Sequence, residues 1–224
     1  GLDYEVEYVE GLQIDRGWLS PYLVTDTDRM TVELDDPYIL CTMEKPGSPQ
    51  DLIPLLEKVT PVTKNLVIIA EDVINEGLAT LVVNKMKGNL NSLPIRAPFF
   101  GDRRRAKLED LAIFFGATII DQGAGRGMDK IELSDLGQCR KAIANKDDTT
   151  FLEGAGSKEA IATRIEQIRK QIEDSSSGYD IEKMEERIAS LVGSVCILKV
   201  GAATEIEMRE KKQRLEDTLT ATRA

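Results

Sequence analysis

The sequence predicts an α/β fold, a sheet core flanked by helices. Three observations point to it. Short apolar or alternating runs recur at residues 4–9 (YEVEYV), 38–42 (YILCT), 65–70 (NLVIIA), 94–97, 117–120 (ATII) and 195–200 (VCILKV). Helix-length stretches, at about 49–59, 75–87 and 103–115, separate the middle runs. Strands alternating with helices of this length build α/β sheets. The C-terminal third then changes to long stretches with one-sided apolar stripes.

Taken in chain order, YEVEYV alternates apolar and charged residues, the period of a half-buried strand. Asp15 to Pro21 (DRGWLSP) is rich in turn residues. NLVIIA is almost continuously apolar, as a strand buried on both faces must be. The helix over 49–59 has Ser48 as its cap, Pro49 in the first turn and Asp51 three residues after the cap. Pro54 removes one ladder bond from that helix and is expected to kink it. Asp102 is expected to cap the helix over 103–115. Ile161, Ile165, Ile168 and Ile172 form one helical stripe, and Ile181, Met184, Ile188 and Leu191 a second. EDSSSGYD between them supplies the turn of a helical hairpin. After Thr204 the charged segment EIEMREKKQRLEDTLTATRA reads as one long helix without a C-terminal cap, as if the chain continued beyond it.

Composition bounds the function. The 224 residues are 42% hydrophobic and 30% charged, enough for an ordinary core. The net charge of −10 argues against nucleic-acid binding, which needs a basic patch. No apolar run approaches the roughly 20 residues of a membrane span, and the acidic first ten residues do not read as a signal peptide. Cys41, Cys139 and Cys196 form no CxxC pair, and the sequence has no histidine. Most zinc sites, a Cys–His dyad and a Ser–His–Asp triad are thereby excluded. The three thiols read as small buried apolar residues of a reducing compartment.

The polar motifs offer little chemistry. GAGRG (Gly123 to Gly127) lacks the GK[ST] of a phosphate loop and reads as a flexible turn. Arg103, Arg104 and Arg105 read as a solvated or ion-paired face. Asp147 and Asp148, in KDDTTF, read as a hairpin turn, and Asp217 as one solvated acid among several. The informative feature is the width of two apolar helix faces. At about 100° per residue, Leu78, Leu81, Val82, Val83 and Met86 cover roughly 200°. Leu52, Ile53, Leu55, Leu56 and Val59 cover roughly 160° by the same count. A surface helix needs only somewhat over 100° for its core face. Either both helices are sandwiched between layers, or they leave an apolar interaction surface open.

Longer strings carry a resemblance. DRGWLSPY (Asp15 to Tyr22) resembles the segment that opens the apical domain of group I, GroEL-type chaperonins. LVIIAEDV (Leu66 to Val73), ATLVVN (Ala79 to Asn84), FGDRRRAKLEDLA (Phe100 to Ala112), KVGAATEIEMREKK (Lys199 to Lys212) and EDTLTATRA (Glu216 to Ala224) are similar to that family and stand in its order. The resemblance implies an intermediate-domain segment at 1–10, an apical polypeptide-binding domain at 11–194 and a second intermediate-domain segment at 195–224. The apical core would be a β-sandwich or sheet flanked by helices, with the helical hairpin and an intermediate-domain helix following. The equatorial domain has no counterpart here.

The resemblance also implies roles. The helices over 49–59 and 75–87 would line a groove that binds apolar segments of non-native polypeptides and, in competition, the mobile loop of a GroES-type co-chaperonin. Ile53, Leu56, Leu78, Val82 and Val83 match groove positions, with Glu57 and Asn84 at polar ones. Trp18, Tyr22 and Leu23 match a neighbouring apolar segment. Gly11 and Gly193 match a hinge. Arg16 and Glu205 match a pair that links adjacent subunits of a ring. Asp217 matches an aspartate that helps activate water for ATP hydrolysis in the full-length protein. ATP and Mg would be cofactors of that protein only, and this chain alone is expected to be inactive. The implied compartment is bacterial cytoplasm, mitochondrial matrix or plastid stroma. Trp18 and Leu23 replace commoner aromatic residues, Ser194 and Phe99 stand where glycine is common, and Gly77 stands where alanine is common.

Overall fold

The computed structural model describes the backbone of residues 4–200 and 203–209 and the side chains of residues 5–193. The fold is mixed α/β, with five helices among the described residues. The chain divides into two compact units, Ile14–Ser157 and a second made of Gly1–Gln13 with Lys158–Ala224. The helical hairpin groups with the terminal strands.

In the unit Ile14–Ser157, three strands run parallel: β3 (Tyr38–Cys41), β4 (Asn65–Ala70) and β5 (Asn91–Arg96), with β4 in the middle. Parallel neighbours require crossovers, and helices α1 (Pro49–Val59) and α2 (Asn75–Met86) supply them. Leu66 to Ala70 are all buried, which explains the unbroken apolar run. Strand β6 (Gly137–Ala144) is antiparallel to β3 at its start, then passes between β2 (Val32–Asp35) and β7 (Thr149–Gly154). Helix α3 (Gly101–Phe115) packs on β3 and β6. Its Phe115 meets Phe114 and Phe151 edge to face, at ring-centre distances of 5.2 and 4.8 Å. Gly116, at φ 73°, ends α3 in a left-handed cap, and the Ala117 N–H donates to the Ala112 carbonyl at 2.8 Å.

Local sequence accounts for α1. The Asp51 carboxylate accepts from the backbone N–H groups of Gly47 (3.0 Å) and Ser48 (3.2 Å). Leu52, Leu55 and Val59, spaced three and four apart, are fully buried. The helix continues through Pro54 as one element. In α2, Gly77 lies against the chain before α1. A Cβ there would stand 2.8 Å from the Pro46 carbonyl oxygen. The close approach explains a glycine where helix propensity favours alanine.

The other unit pairs β1 (Tyr4–Ile14) antiparallel to β8 (Ser194–Val200), and β8 antiparallel to β9 (Ala203–Arg209). The hairpin is α4 (Lys158–Glu173) and α5 (Gly178–Leu191), with Ile165, Ile168 and Leu191 buried and the Ser177 hydroxyl accepting from the Asp180 N–H.

Three local expectations are corrected. Residues 117–120 are no strand: Ile120 makes only an isolated bridge to Thr42. The segment after Thr204 starts as strand β9, because Val200 pairs with Ala203 and so turns the chain back on β8. Ile206 and Met208 alternate there with Glu205 and Glu207, the period of a strand. The remaining part of the expected terminal helix, with Asp217, lies outside the described residues. Asp102 sits inside the first turn of α3, whose cap position is Phe100.

Candidate functional site

The two crossover helices pack side by side. Each buries one face on the sheet and leaves apolar residues on the other. On α1, Ile53 is 44% exposed and Leu56 half-buried. On α2, Val83 is 44% and Met86 79% exposed, opposite buried Gly77 and Leu81, while Leu78 and Val82 are half-buried. The wide arcs are therefore only partly covered. Between the helices, toward their C-terminal ends, lies an open cleft of about 480 Å³. Ile53, Leu56, Glu57 and Asn84 line it, together with Thr60 and Leu90.

The cleft joins four of the sequence-predicted residues. Ile53, Leu56 and Glu57 share one side of α1 because Leu56 and Glu57 follow Ile53 by three and four residues, the spacing that returns a helix to the same face. Asn84 reaches it from the last turn of α2. Its side-chain amide donates to the Thr80 carbonyl at 2.8 Å, and its backbone carbonyl accepts the Asn89 N–H at 3.0 Å. Leu78, Val82 and Val83 are not among the cleft-lining residues; Val83 stands with Met86 on the outer side of α2. Thr60, Lys64 and Leu90 line the cleft but were missed, because they follow the helices in sequence. The parallel crossovers bring those trailing segments together, and the order strand–helix–strand–helix–strand was the available signal.

The neighbouring apolar segment is split. Residues Pro21–Leu23 form a 3₁₀ turn that packs against α2 and β5. Tyr22 is 75% exposed at its crest, whereas Leu23 is fully buried. Leu23, expected at a contact surface, is thus a core residue, because one step along the turn reverses the side-chain direction. Trp18 is half-buried, and its indole N–H donates to the Met30 carbonyl at 2.9 Å.

The remaining predicted residues have other settings. Arg16 pairs with Asp15 next to it at 3.2 Å. The Glu205 backbone lies in β9 opposite Leu198, and its side chain lies outside the described residues, as does Asp217. The Gly11 N–H donates to the Gly193 carbonyl at 3.3 Å, so the two hinge positions are direct neighbours. GAGRG is built into structure: Asp121 and Arg126 form a bridge, and Arg126 contacts both Asp135 oxygens at 2.7 Å. That carboxylate raises the pKa of the guanidinium, first through the hydrogen bonds and then through charge. Arg104 lies 5.1 Å from the centre of the Phe100 ring and 3.8 Å from Glu71, and Arg105 pairs with Asp121.

The chemistry outside the cleft is quiet. Burial pushes the Cys41 and Cys139 thiols up to about 12. The Gly47 N–H, followed by the Ser48 groups, holds the Asp51 carboxyl below its ordinary range against slight desolvation. A second, polar hollow of about 400 Å³ is lined by Glu44, Lys45, Asp51 and Asp129. Its Asp51 serves the α1 cap, and Glu44 accepts the Gln122 N–H at 3.0 Å. Among the described residues, no group of three or more His, Cys, Asp or Glu is arranged to hold a metal ion. No helix among them is long and apolar enough to cross a membrane.

A scan of protein-family models finds no match to this chain.

Proposed function

We propose that the chain is the polypeptide-binding part of a group I chaperonin. It holds exposed apolar segments of non-native proteins on the α1–α2 surface. The observation that carries this reading is the pair of adjacent helices with apolar side chains left in solvent: Ile53 lines the open cleft between them, and Val83 and Met86 are exposed on the outer side of α2. Aliphatic surface binds without demanding a sequence, at roughly 25 cal/mol per Å² buried. A segment that covers about 400 Å² of it gains roughly 10 kcal/mol. Ordering a flexible chain offsets most of that gain, so one site binds weakly.

In a full-length ring, several such sites would act together and raise avidity without new contacts. A GroES-type co-chaperonin loop would compete for the same surface and displace the captured chain. Gly11 and Gly193 would form the hinge, and Arg16 and Glu205 would link adjacent subunits. ATP and Mg would belong to the full-length protein, where Asp217 would help activate the attacking water.

Suppression of aggregation of a denatured protein, followed by light scattering, tests the reading. Leu56→Ser and Val83→Ser are expected to abolish suppression while circular dichroism stays native-like. Suppression retained by both variants sinks the assignment of the surface.

A further inference from the structure

The cleft between α1 and α2 is not lined by apolar groups alone. Glu57, Thr60, Lys64, Asn84 and Asn89 line it as well. Three of these are occupied within the protein. The Thr60 hydroxyl donates to the Leu56 carbonyl at 2.8 Å, and the Asn84 amide to the Thr80 carbonyl at 2.8 Å. The Asn89 amide lies 3.5 Å from the Asn84 side-chain oxygen. The two charges differ. Among the described residues, neither the Glu57 carboxylate nor the Lys64 ammonium has an ion-pair or hydrogen-bond partner. Lys58, beside Glu57 in the chain, pairs instead with Glu132 at 3.4 Å, and Lys85 of α2 donates to the Asn91 side chain at 2.9 Å. Both free charges are exposed, so water solvates them while the cleft is open. Both also stand on anchored backbone. Glu57 lies in the last turn of α1, and the Lys64 carbonyl accepts the Asn91 N–H at 2.7 Å, which ties the residue before β4 to the start of β5.

We infer that the cleft prefers, among apolar segments of non-native polypeptides, those flanked by one basic and one acidic residue, with Glu57 meeting the base and Lys64 the acid. The inference rests on the proposed function and gives that surface a charge preference. Charge complementarity selects the occupant. A wholly apolar segment that closes over the cleft strips water from both charges and returns no partner, which costs free energy. A segment with two like charges pairs with one of them and repels the other. Only the mixed segment satisfies both while its apolar core meets Ile53 and Leu56. Exposed ion pairs contribute modestly, a factor of up to about five each, and salt screens them. The preference therefore ranks segments, and the apolar contact captures them.

The experiment measures binding of four labelled peptides by fluorescence anisotropy. All share one core of leucine and valine, flanked by Lys and Glu, by two Glu, by two Lys or by two Ser. The wild type is expected to bind the Lys/Glu peptide about fivefold more tightly than the serine peptide, with the margin shrinking at high salt. Lys64→Glu should move the preference to the two-lysine peptide, and Glu57→Lys to the two-glutamate peptide, with circular dichroism unchanged. Should a reversal fail to fold, Lys64→Gln and Glu57→Gln carry the same test through loss of the preference. A wild type that binds all four peptides alike overturns the inference and leaves the proposed function standing. So does a ranking that both charge variants leave unchanged. A wild type that binds none of the four overturns the proposed function itself, and the charge preference with it.

Discussion

Gly77→Ala sets two physical effects against each other with opposite signs. Helix propensity favours alanine by at most about 1 kcal/mol, the value for a helix interior, at Gly77 in the first turn of α2. The new Cβ, however, would meet the Pro46 carbonyl oxygen at 2.8 Å, the Pro46 carbonyl carbon at 3.1 Å and the Gly47 nitrogen at 3.3 Å. All three are backbone atoms, so no flexible side chain can give way. The Pro46 carbonyl is also held, accepting the Ile74 N–H at 3.0 Å. To relieve the contact, α2 must move outward by roughly half an ångström, against packing that includes fully buried Leu81. Overpacking typically costs about 1–3 kcal/mol, and a contact with backbone atoms that no side chain can relieve belongs in the upper part of that range, about 2–3 kcal/mol. The clash therefore wins, and the net loss is about 1–2 kcal/mol, or about 4 °C in Tm. Thermal unfolding followed by circular dichroism, with urea titration as a second measure, reads the sign directly. A Tm that rises in Gly77→Ala refutes the reasoning, because it would mean that propensity decides and that the approach to Pro46 relaxes freely.

Two further outcomes follow from the titrating groups. Asp51 has a carboxyl pKa depressed in the folded state, so its contribution to stability is present above its unfolded value, near 3.8, and is lost as pH falls through the folded value. Urea midpoints should decline in that acid range more steeply for the wild type than for Asp51→Asn, and parallel curves would remove Asp51 from the α1 cap. Cys41 and Cys139, with thiols pushed up to about 12 by burial, should resist alkylation at pH 8 until urea unfolds the chain. Peptide mapping that finds either one labelled in native protein would contradict that burial.

Local signals sufficed wherever one element carries its own instructions. The bounds of α1 follow from Ser48, Pro49 and Asp51, those of α4 and α5 from isoleucine stripes around a Ser/Gly turn, and β4 from NLVIIA. In each case the determining interactions lie within a few residues. The excess apolar arc of α1 and α2 was legible for the same reason. Its meaning was not, because a sandwiched helix and a half-open one have the same periodicity. What decided between them is that the helices cross over between parallel strands and meet at an open cleft. Strand β2 lacks a local signal because its pairing partner lies far away in the chain, Val32 opposite Ala144, whereas β6 and β7 pair with each other across KDDTTF, which reads as a hairpin turn. β9 was mistaken for helix because its charged residues suit either state until β8 is beside it.

What the sequence by itself determined is therefore the α/β class, the helices α1, α2 and α3, the hairpin of α4 and α5, and the surplus of apolar surface on α1 and α2, since these rest on short-range periodicity and capping. Only the tertiary structure decided that Leu23 points inward while Tyr22 points out, that Gly77 must be small, and that Met30 is held at a left-handed φ by an indole twelve residues away. Each of those depends on contacts between segments that no local pattern can place.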